Sequence, residues 1–165
     1  MKQLTGVLVP DPIAAAFERS QEFVQRYFSE WVHRPESGTI AVHGERYILV
    51  RAAAMSVEFF EELTRLFRSQ GEHEARAIAR GLLYDLAHTI GRADARAFAA
   101  RLGVDEPVDR FSAGPSHFAH TGWATVELDE GCEMYADERY LLVYDHPCSF
   151  EADAWLASSK RAGAP

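Results

Sequence analysis

Histidines and cysteines are the residues whose types and spacing suggest chemistry in this sequence. His117 and His120 lie three apart in the segment SHFAH, and His146 and Cys148 form a second close pair. Two such pairs could supply the four nitrogen and sulfur ligands of a zinc-type site. The residues fall in predicted loops and strand edges, and no C-x-x-C accompanies them, which favours hydrogen-bonding or surface roles. We therefore predict no metal site.

The common catalytic motifs are absent from the sequence. It contains no G-x-x-x-x-G-K-[ST] phosphate loop, no G-x-G-x-x-G, no H-E-x-x-H and no G-x-S-x-G. A nucleophile at Cys132 or Cys148 is not predicted either, because Cys148 has no Gly-rich or helix-N-terminal oxyanion site beside it and follows Pro147 at a predicted bend. The sequence therefore predicts a non-enzymatic protein without a cofactor.

Aromatic side chains interleaved with histidines gather in the second half of the chain. Apolar walls with a few well-placed polar groups are typical of a pocket for a small organic molecule. The alternative, which composition alone favours, is a set of core aromatics between a sheet and helices. The candidate ligand-binding residues are His117, Phe118, Trp123, Tyr144, His146 and Phe150.

The totals describe an ordinary globular protein. The chain has 165 residues, 47% of them hydrophobic, and a formal net charge of -8, which argues against direct nucleic-acid binding. No apolar run approaches the ~18 residues that span a bilayer, and the N-terminus is too short to be a secretory signal. We expect a cytoplasmic protein without a membrane partner.

The elements that must position these residues begin with an N-terminal arm and helix. Residues 4–9 form an apolar run predicted to be a strand or an arm, and Asp11 with Pro12 is a favourable helix start. The apolar face that follows must be covered by the domain body or by a second copy of the chain. A homodimer would use Phe17, Val24, Tyr27, Phe28 and Trp31. The clearest boundary follows this helix and divides residues 1–37, the arm and the dimerisation helix, from a second domain at 38–165.

Residues 39–103 are predicted to contain a hairpin and helices. Two β-rich runs in 39–51 are joined by His43-Gly44, and residues 56–69 form a helix. Residues 71–103 form one long helix or two stacked end to end, with a bend at Gly91. Its apolar stripe needs a sheet or another helix to cover it. The stripe comprises Ala75, Ile78, Ala79, Leu82, Leu86 and Ile90.

The remainder is predicted to be mainly strand. Residues 104–112 are a loop or a short irregular helix, and three strands follow at 122–128, 138–145 and 149–156. Helices followed by antiparallel strands indicate an α+β fold. We therefore predict an N-terminal helix, a β-hairpin and long helices packed on an antiparallel meander.

Three segments resemble a known family. GRADARAFAARLG, SAGPSHFAHTGWATVEL and DHPCSFEADAWL, in this order, are similar to the N-terminal sensor domain of the XylR/DmpR class of activators of aromatic catabolism. That domain leads into a vinyl-4-reductase domain, and the resemblance spans residues 38–156. It implies a small aromatic effector in a buried pocket, dimerisation through the N-terminal part, and repression of an attached output module.

The resemblance also assigns the polar anchors of the pocket. The family's Gly-Pro pair, matched by residues 114–115, places Phe118 where a histidine binds a phenolic hydroxyl, with His117 one residue earlier. Residues 149–151 place His146 where the family has a tryptophan. Both anchors differ from the family pattern, and the resemblance therefore implies a changed ligand preference, with His117 and His146 as the hydrogen-bonding side chains.

The chain ends at Pro165, before the family's zinc-binding segment. We therefore expect no family-type zinc and a sensor shortened at its C-terminus. The interpretation that combines these observations is a cytoplasmic, dimeric, ligand-sensing regulatory domain. The alternatives are a structural dimerisation module without a ligand and a vinyl-reductase-related, tetrapyrrole-processing protein.

Overall fold

The computed structural model describes residues 1–135, 140–141, 143–145 and 148–161, with the backbone alone at Tyr140, Tyr144 and Arg161. The described elements confirm the α+β class. The strands are β1 (Lys2–Leu4), β2 (Val7–Val9), β3 (Trp31–Arg34), β4 (Thr39–Val42), β5 (Glu45–Tyr47), β6 (Val126–Leu128), β7 (Glu133–Met134), β8 (Tyr140–Leu141) and β9 (Tyr144–Asp145). The helices are α1 (Ala14–Ser29), α2 (Ala52–Met55), α3 (Val57–Leu66), α4 (Glu72–Leu102), α5 (Pro107–Thr121) and α6 (Phe150–Arg161).

The chain divides into two compact units. Unit 1 comprises Met1–Leu49 and Ala99–Ser149, and unit 2 comprises Val50–Phe98 and Phe150–Pro165. Unit 1 holds the strands together with α1 and α5, whereas the described part of unit 2 is helical. The functional division at residues 37 and 38 stays a prediction.

The main sheet of unit 1 is mixed rather than an antiparallel meander. Its strand order is β1-β2-β6-β9, and β2 pairs with β6 in parallel, Val7 opposite Val126. The pairs β6–β9 and β7–β8 are antiparallel as predicted, whereas the parallel pairing of β2 with β6 was not predicted. The N-terminal run thus contributes β1 and β2, and it joins the rest of the sheet through the pairing of β2 with β6, more than a hundred residues later in the chain.

The apolar face of α1 is buried within unit 1. Phe17, Val24 and Tyr27 are at most 1% exposed, and α5 packs against this helix. Phe17 belongs to the core cluster that also includes Val9 and Val126. Because the rest of unit 1 covers Phe17, Val24 and Tyr27, these three side chains have no surface left for a second chain.

The start of α1 differs from the prediction. Asp11 lies inside a 3-10 turn, Asp11–Ile13, that precedes the helix, and it makes no capping hydrogen bond. Its carboxylate instead lies 3.1 Å from the N-terminal ammonium group. Pro12 occupies the start of that 3-10 turn, where its missing N–H needs no partner.

The predicted hairpin is confirmed. Strands β4 and β5 pair antiparallel around His43 and Gly44, both of which have positive φ. Arg101 from the end of α4 donates to the carbonyl oxygen of His43 at 3.0 Å and pairs with Glu45. A third strand, β3, pairs with β4, so Trp31 lies in a strand and not on the helical face where we expected it.

Helix α4 is one continuous helix of 31 residues, and Gly91 does not interrupt it. Ala75 and Ala79 are buried, but Leu82 and Leu86 are 43% and 37% exposed. The prediction that the whole stripe is covered was therefore wrong for its second half. Among the described residues, no helix combines the length and apolar character needed to cross a membrane.

Two predictions for the second half differ from the structure: of the two alternatives for residues 104–112 the helix is present but regular and longer than expected, and the predicted third strand is absent from the described residues 149–156. Most of the segment predicted to be a loop or an irregular helix belongs to α5, which continues through Pro115 to Thr121. The segment predicted to be the third strand forms helix α6. Trp155 of this helix contacts Phe60 of α3 edge to face, with the ring centroids 5.6 Å apart. Small alanines and acidic residues in its first turn favour this helix.

Candidate functional site

The C-terminal end of α5 positions the candidate residues of unit 1. Gly122, with φ 79°, ends the helix in the left-handed conformation. Its N–H donates to the carbonyl oxygen of Ala119 at 3.2 Å, and the N–H of Trp123 donates to that of Phe118 at 2.9 Å. This is the bonding expected where a helix ends at a glycine, and it fixes Trp123 beside the last turn, which carries His117 and Phe118.

A cluster of three rings joins α5 to α1. The centroid of the Phe28 ring lies 5.7 Å from that of His117 and 4.8 Å from that of His120, with which it is stacked at 18°. His117 and His120 share a face of α5 because they are three residues apart. We call Phe28, His117 and His120 the ring cluster.

The hydrogen bond of His120 identifies which of its ring nitrogens is the donor. Its Nδ1 lies 2.9 Å from the carbonyl oxygen of Ser116, which can only accept, so Nδ1 carries the proton. The hydroxyl of Ser116 is buried and has no hydrogen-bond partner among the described residues. A buried donor without a partner costs about 1–3 kcal/mol.

The environment of His117 keeps its imidazole neutral. Burial, and to a smaller extent the neighbouring His120, lowers the pKa of His117 from 6.5 to about 4. A neutral imidazole both donates and accepts a hydrogen bond. The side chain can therefore bind a hydroxyl group at neutral pH without introducing a charge into an apolar environment.

The lowered pKa predicts a pH-dependent stability. In the unfolded chain His117 should protonate near pH 6.5, whereas in the folded chain it resists protonation down to about pH 4. The unfolded state therefore binds more protons within this window, and stability is lost as the pH falls from about 6.5 to 4, by at most about 1.4 kcal/mol per pH unit. Urea unfolding at several pH values measures this slope.

The variant His117→Gln should be less sensitive to pH across the same window, because glutamine does not titrate. The exposed His73 of α4 provides the control, and His73→Gln should keep the slope of the unchanged protein. Equal slopes for the unchanged protein and His117→Gln would contradict the assignment.

The structure places the six predicted site residues in different settings. His117 is half-buried in the ring cluster, Trp123 is half-buried, and Phe118 is 40% exposed. Tyr144 lies in β9 opposite Leu128, with only its backbone described. Phe150 is the half-buried first residue of α6 and belongs to unit 2. His146 lies outside the described residues.

Two members of the ring cluster, Phe28 and His120, were not among the predicted site residues. The signal for His120 was its spacing from His117, which indicates a shared face only if the segment is a helix. Phe28 is far away in sequence and half-buried on α1. No local pattern joins it to α5, so sequence reasoning had no means of placing it there.

The described residues contain no group of three or more His, Cys, Asp or Glu side chains arranged to hold a metal ion. Cys132 is buried, and its sulfur lies 3.3 Å from the backbone nitrogen of Val143. Cys148 is exposed, and its carbonyl oxygen accepts a hydrogen bond from the N–H of Thr125. The surroundings of the buried Cys132 are those of a structural residue.

Comparison with known proteins gives one family. The family model for the XylR N-terminal domain, described as an activator of aromatic catabolism, matches residues 29–134. The match covers more than half of the chain and includes His117, Phe118 and Trp123. A search of curated proteins found no match. The vinyl-4-reductase part of the resemblance stays a prediction.

Proposed function

The chain belongs to the family of activators of aromatic catabolism, and from this membership we propose that it senses a small aromatic or apolar effector. The observation that carries the proposal is the ring cluster with its neutral, half-buried His117. It combines aromatic surface with one hydrogen-bonding group, which is the composition of a small-molecule site. His117 and His146 are the proposed polar anchors, with Phe118, Trp123, Tyr144 and Phe150 as the proposed walls.

The effector acts by shifting a population between two arrangements. A ligand that binds one packing of α5 against α1 more tightly increases the fraction of molecules in that packing. The contact between Phe28 and the two histidines lies at this helix pair, so a ligand beside His117 acts on α1 directly. An attached or associated output module would respond to that change.

Thermal unfolding with a panel of phenols, biphenyls and alkylbenzenes tests the proposal. A ligand at 100 times its dissociation constant adds about 2.7 kcal/mol of stability, which raises the midpoint by several degrees. A rise confined to one chemical class supports the sensor and identifies its ligand class. A cooperative transition that none of these compounds moves would contradict effector binding and favour a structural module.

Replacement of the anchor should weaken binding of a hydroxylated aromatic. For His117→Ala we expect a loss of about 1–3 kcal/mol in binding free energy, because a buried hydroxyl would lose its hydrogen-bond partner. Isothermal titration calorimetry with the best hydroxylated compound measures the loss. His73→Ala is the matched control and should bind normally, and His146→Ala tests the second proposed anchor in the same way.

An affinity that is unchanged in His117→Ala would show that this residue is not an anchor. A loss for the hydroxylated compound, with an unchanged affinity for its counterpart without the hydroxyl, would assign the lost energy to the hydrogen bond. An equal loss for both compounds would instead point to packing around the ring.

We also propose that the chain forms a homodimer, with Trp31 as its main contact among the N-terminal residues. Trp31 is 46% exposed, and β3 is an edge strand of its sheet, which leaves backbone groups available to a partner. Trp31→Ala should weaken the dimer by about 2 kcal/mol or more, as expected for a tryptophan at the centre of an interface. Sedimentation at several protein concentrations measures the change.

The exposed Trp155 of α6 offers a matched control. Trp155→Ala removes the same kind of side chain from unit 2, where it is 40% exposed, and should leave the dimer unchanged. A chain that sediments as a monomer at all concentrations, or a dimer equally stable with and without Trp31, would contradict this part of the proposal.

A further inference from the structure

A groove on unit 1 lies apart from the proposed effector site. It has a volume of about 430 Å³, within the range of about 300–1,000 Å³ that is usual for small-molecule sites. One wall is the face of α1 that carries Arg19, Glu22, Phe23 and Arg26, and the other is the segment between α4 and α5. We call it the α1 groove, and its lining includes none of the six predicted effector residues.

The spacing of the α1 residues explains why they share this wall. Residues three and four apart lie on one face of a helix, and this face adjoins the buried stripe of Phe17, Val24 and Tyr27. The half-buried Phe23 contributes an apolar ring, and the half-buried Leu102 and the buried Val104 contribute aliphatic surface opposite it.

Hydrogen bonds hold the second wall in place. The Nε of Arg110 donates to the carbonyl oxygen of Val104 at 2.7 Å, and its Nη2 donates to Asp105 at 3.1 Å. The carbonyl oxygen of Asp109 accepts a hydrogen bond from the hydroxyl of the buried Ser20 at 3.1 Å. These hydrogen bonds fix the backbone at Val104 and at Asp109, and the bond from Ser20 links this wall to α1.

The charges in the groove are of both signs. Arg19 and Asp109 neutralise each other, with Nη2 and Oδ1 3.3 Å apart. Arg26, Glu22 and Glu106 also line the groove and form no ion pair within the described part of the chain. One cation and two carboxylates are thus available around an apolar surface.

We propose that the α1 groove binds a zwitterionic amino acid with an apolar side chain. The carboxylate of such a ligand pairs with Arg26, its ammonium group pairs with Glu22 or Glu106, and its side chain lies on Phe23, Leu102 and Val104. A ligand with only a negative charge would be repelled by the two carboxylates, and a ligand with only a positive charge would be repelled by Arg26. A zwitterion forms a favourable ion pair with each of its two charges. This site is separate from the proposed effector site and does not depend on it.

Three matched compounds test the charge requirement. L-Phenylalanine carries both charges, 3-phenylpropionate lacks the ammonium group, and 2-phenylethylamine lacks the carboxylate. Calorimetric titration of the full chain at pH 7 should show that L-phenylalanine binds at least about tenfold more tightly than either of the others, a difference of about 1.4 kcal/mol. Equal or tighter binding of either single-charge compound, or no binding of L-phenylalanine, would overturn the proposal.

Variants locate the site. Arg26→Gln and Glu22→Gln should each weaken L-phenylalanine binding by about tenfold or more, and should reduce the preference over the compound that lacks the matching charge. The exposed Arg34 and Glu36 lie outside the groove lining, and Arg34→Gln and Glu36→Gln should bind as the unchanged protein does. All four positions are exposed, so the variants should fold. Binding that is lost equally in the control variants, or retained in both groove variants, would show that the ligand does not occupy the α1 groove.

Discussion

Replacing Phe17 by alanine is expected to destabilise the chain by about 3–5 kcal/mol, the usual cost of removing a fully buried phenylalanine ring. Phe17 is completely buried in the cluster formed with Val7, Val9 and Leu128. Because a domain is typically stable by only about 5–15 kcal/mol, this one change removes a large part of the total. Urea unfolding followed by circular dichroism measures the loss.

Phe118→Ala is the matched control, since this ring is on α5 of the same unit and is 40% exposed. It should cost clearly less, because part of its apolar surface remains in water in the folded state. Equal losses for the two variants would contradict the burial of Phe17, and would reopen α1 as a surface on which a second chain could pack.

Gly6→Ala is expected to have the second large effect. The added Cβ would overlap the Cβ of Ala119, and Gly6 has φ +71°, a conformation that other residues adopt at a cost. The left-handed backbone costs about 1–2 kcal/mol, and forcing an extra group into packed surroundings costs about 1–3 kcal/mol more. Chemical unfolding should therefore show a combined loss of about 2–5 kcal/mol.

Two further variants separate these contributions. Gly38 has φ +60°, and apart from its two chain neighbours no described residue has an atom within 4 Å of the position that an alanine Cβ would occupy, so Gly38→Ala should show only the backbone cost. The double variant with Gly6→Ala and Ala119→Gly removes the steric clash and should regain stability relative to Gly6→Ala, apart from the cost of a glycine inside α5. A Gly6→Ala variant as stable as Gly38→Ala would show that Gly6, in the turn between β1 and β2, does not contact Ala119 of α5.

The parts of the fold that could be predicted are those with a local pattern. The apolar spacing of α1 and the turn at His43 and Gly44 depend on residues close together in the chain, and the structure has both. The residues 75 and 79 of α4 are also buried as expected. The periodicity of α4 shows which face of the helix is apolar, but not how much of that face other elements bury. The exposure of Leu82 and Leu86 therefore could not be predicted.

Helix α5 was missed because its buried face is made of small residues. Ser112, Ala113 and Ser116 are almost completely buried, yet two of them are polar and none is large. The hydroxyl of Ser112 donates to the carbonyl oxygen of Val108 at 2.7 Å, so it can be buried without an outside partner. The packing against α1 offsets the cost of Pro115 inside the helix.

The error at α6 has a different cause. Phe150, Ala152 and Ala154 alternate with the polar Glu151 and Asp153, and this period of two is the signature of a half-buried strand. The same residues have good helix propensity, apart from the aromatic ring, and short segments of this kind fit both patterns. Contacts of Trp155 with Phe60 in α3 resolve the ambiguity in favour of the helix.

For the candidate site, residue type was a better guide than position. His117 was identified from its neighbours in sequence, and the structure places it in a ring cluster with a lowered pKa. The contact with Phe28 depends on how α1 and α5 pack, which is a tertiary property. The six candidate residues remain a prediction as a set, since Phe150 belongs to unit 2, the other described candidates belong to unit 1, and His146 lies outside the described residues.

The parallel pairing of β2 with β6 has a consequence for the chain as it leaves the ribosome. β2 cannot pair with β6 until Val126 has been synthesised. At about 5–20 residues per second, synthesis of the chain between Val7 and Val126 takes roughly 6–24 s. During that interval β1 and β2 can pair with each other and pack on α1, but they lack β6, and a two-stranded hairpin is marginally stable in water. The apolar Val7 and Val9 are therefore open to chaperones and to premature association until β6 has been made.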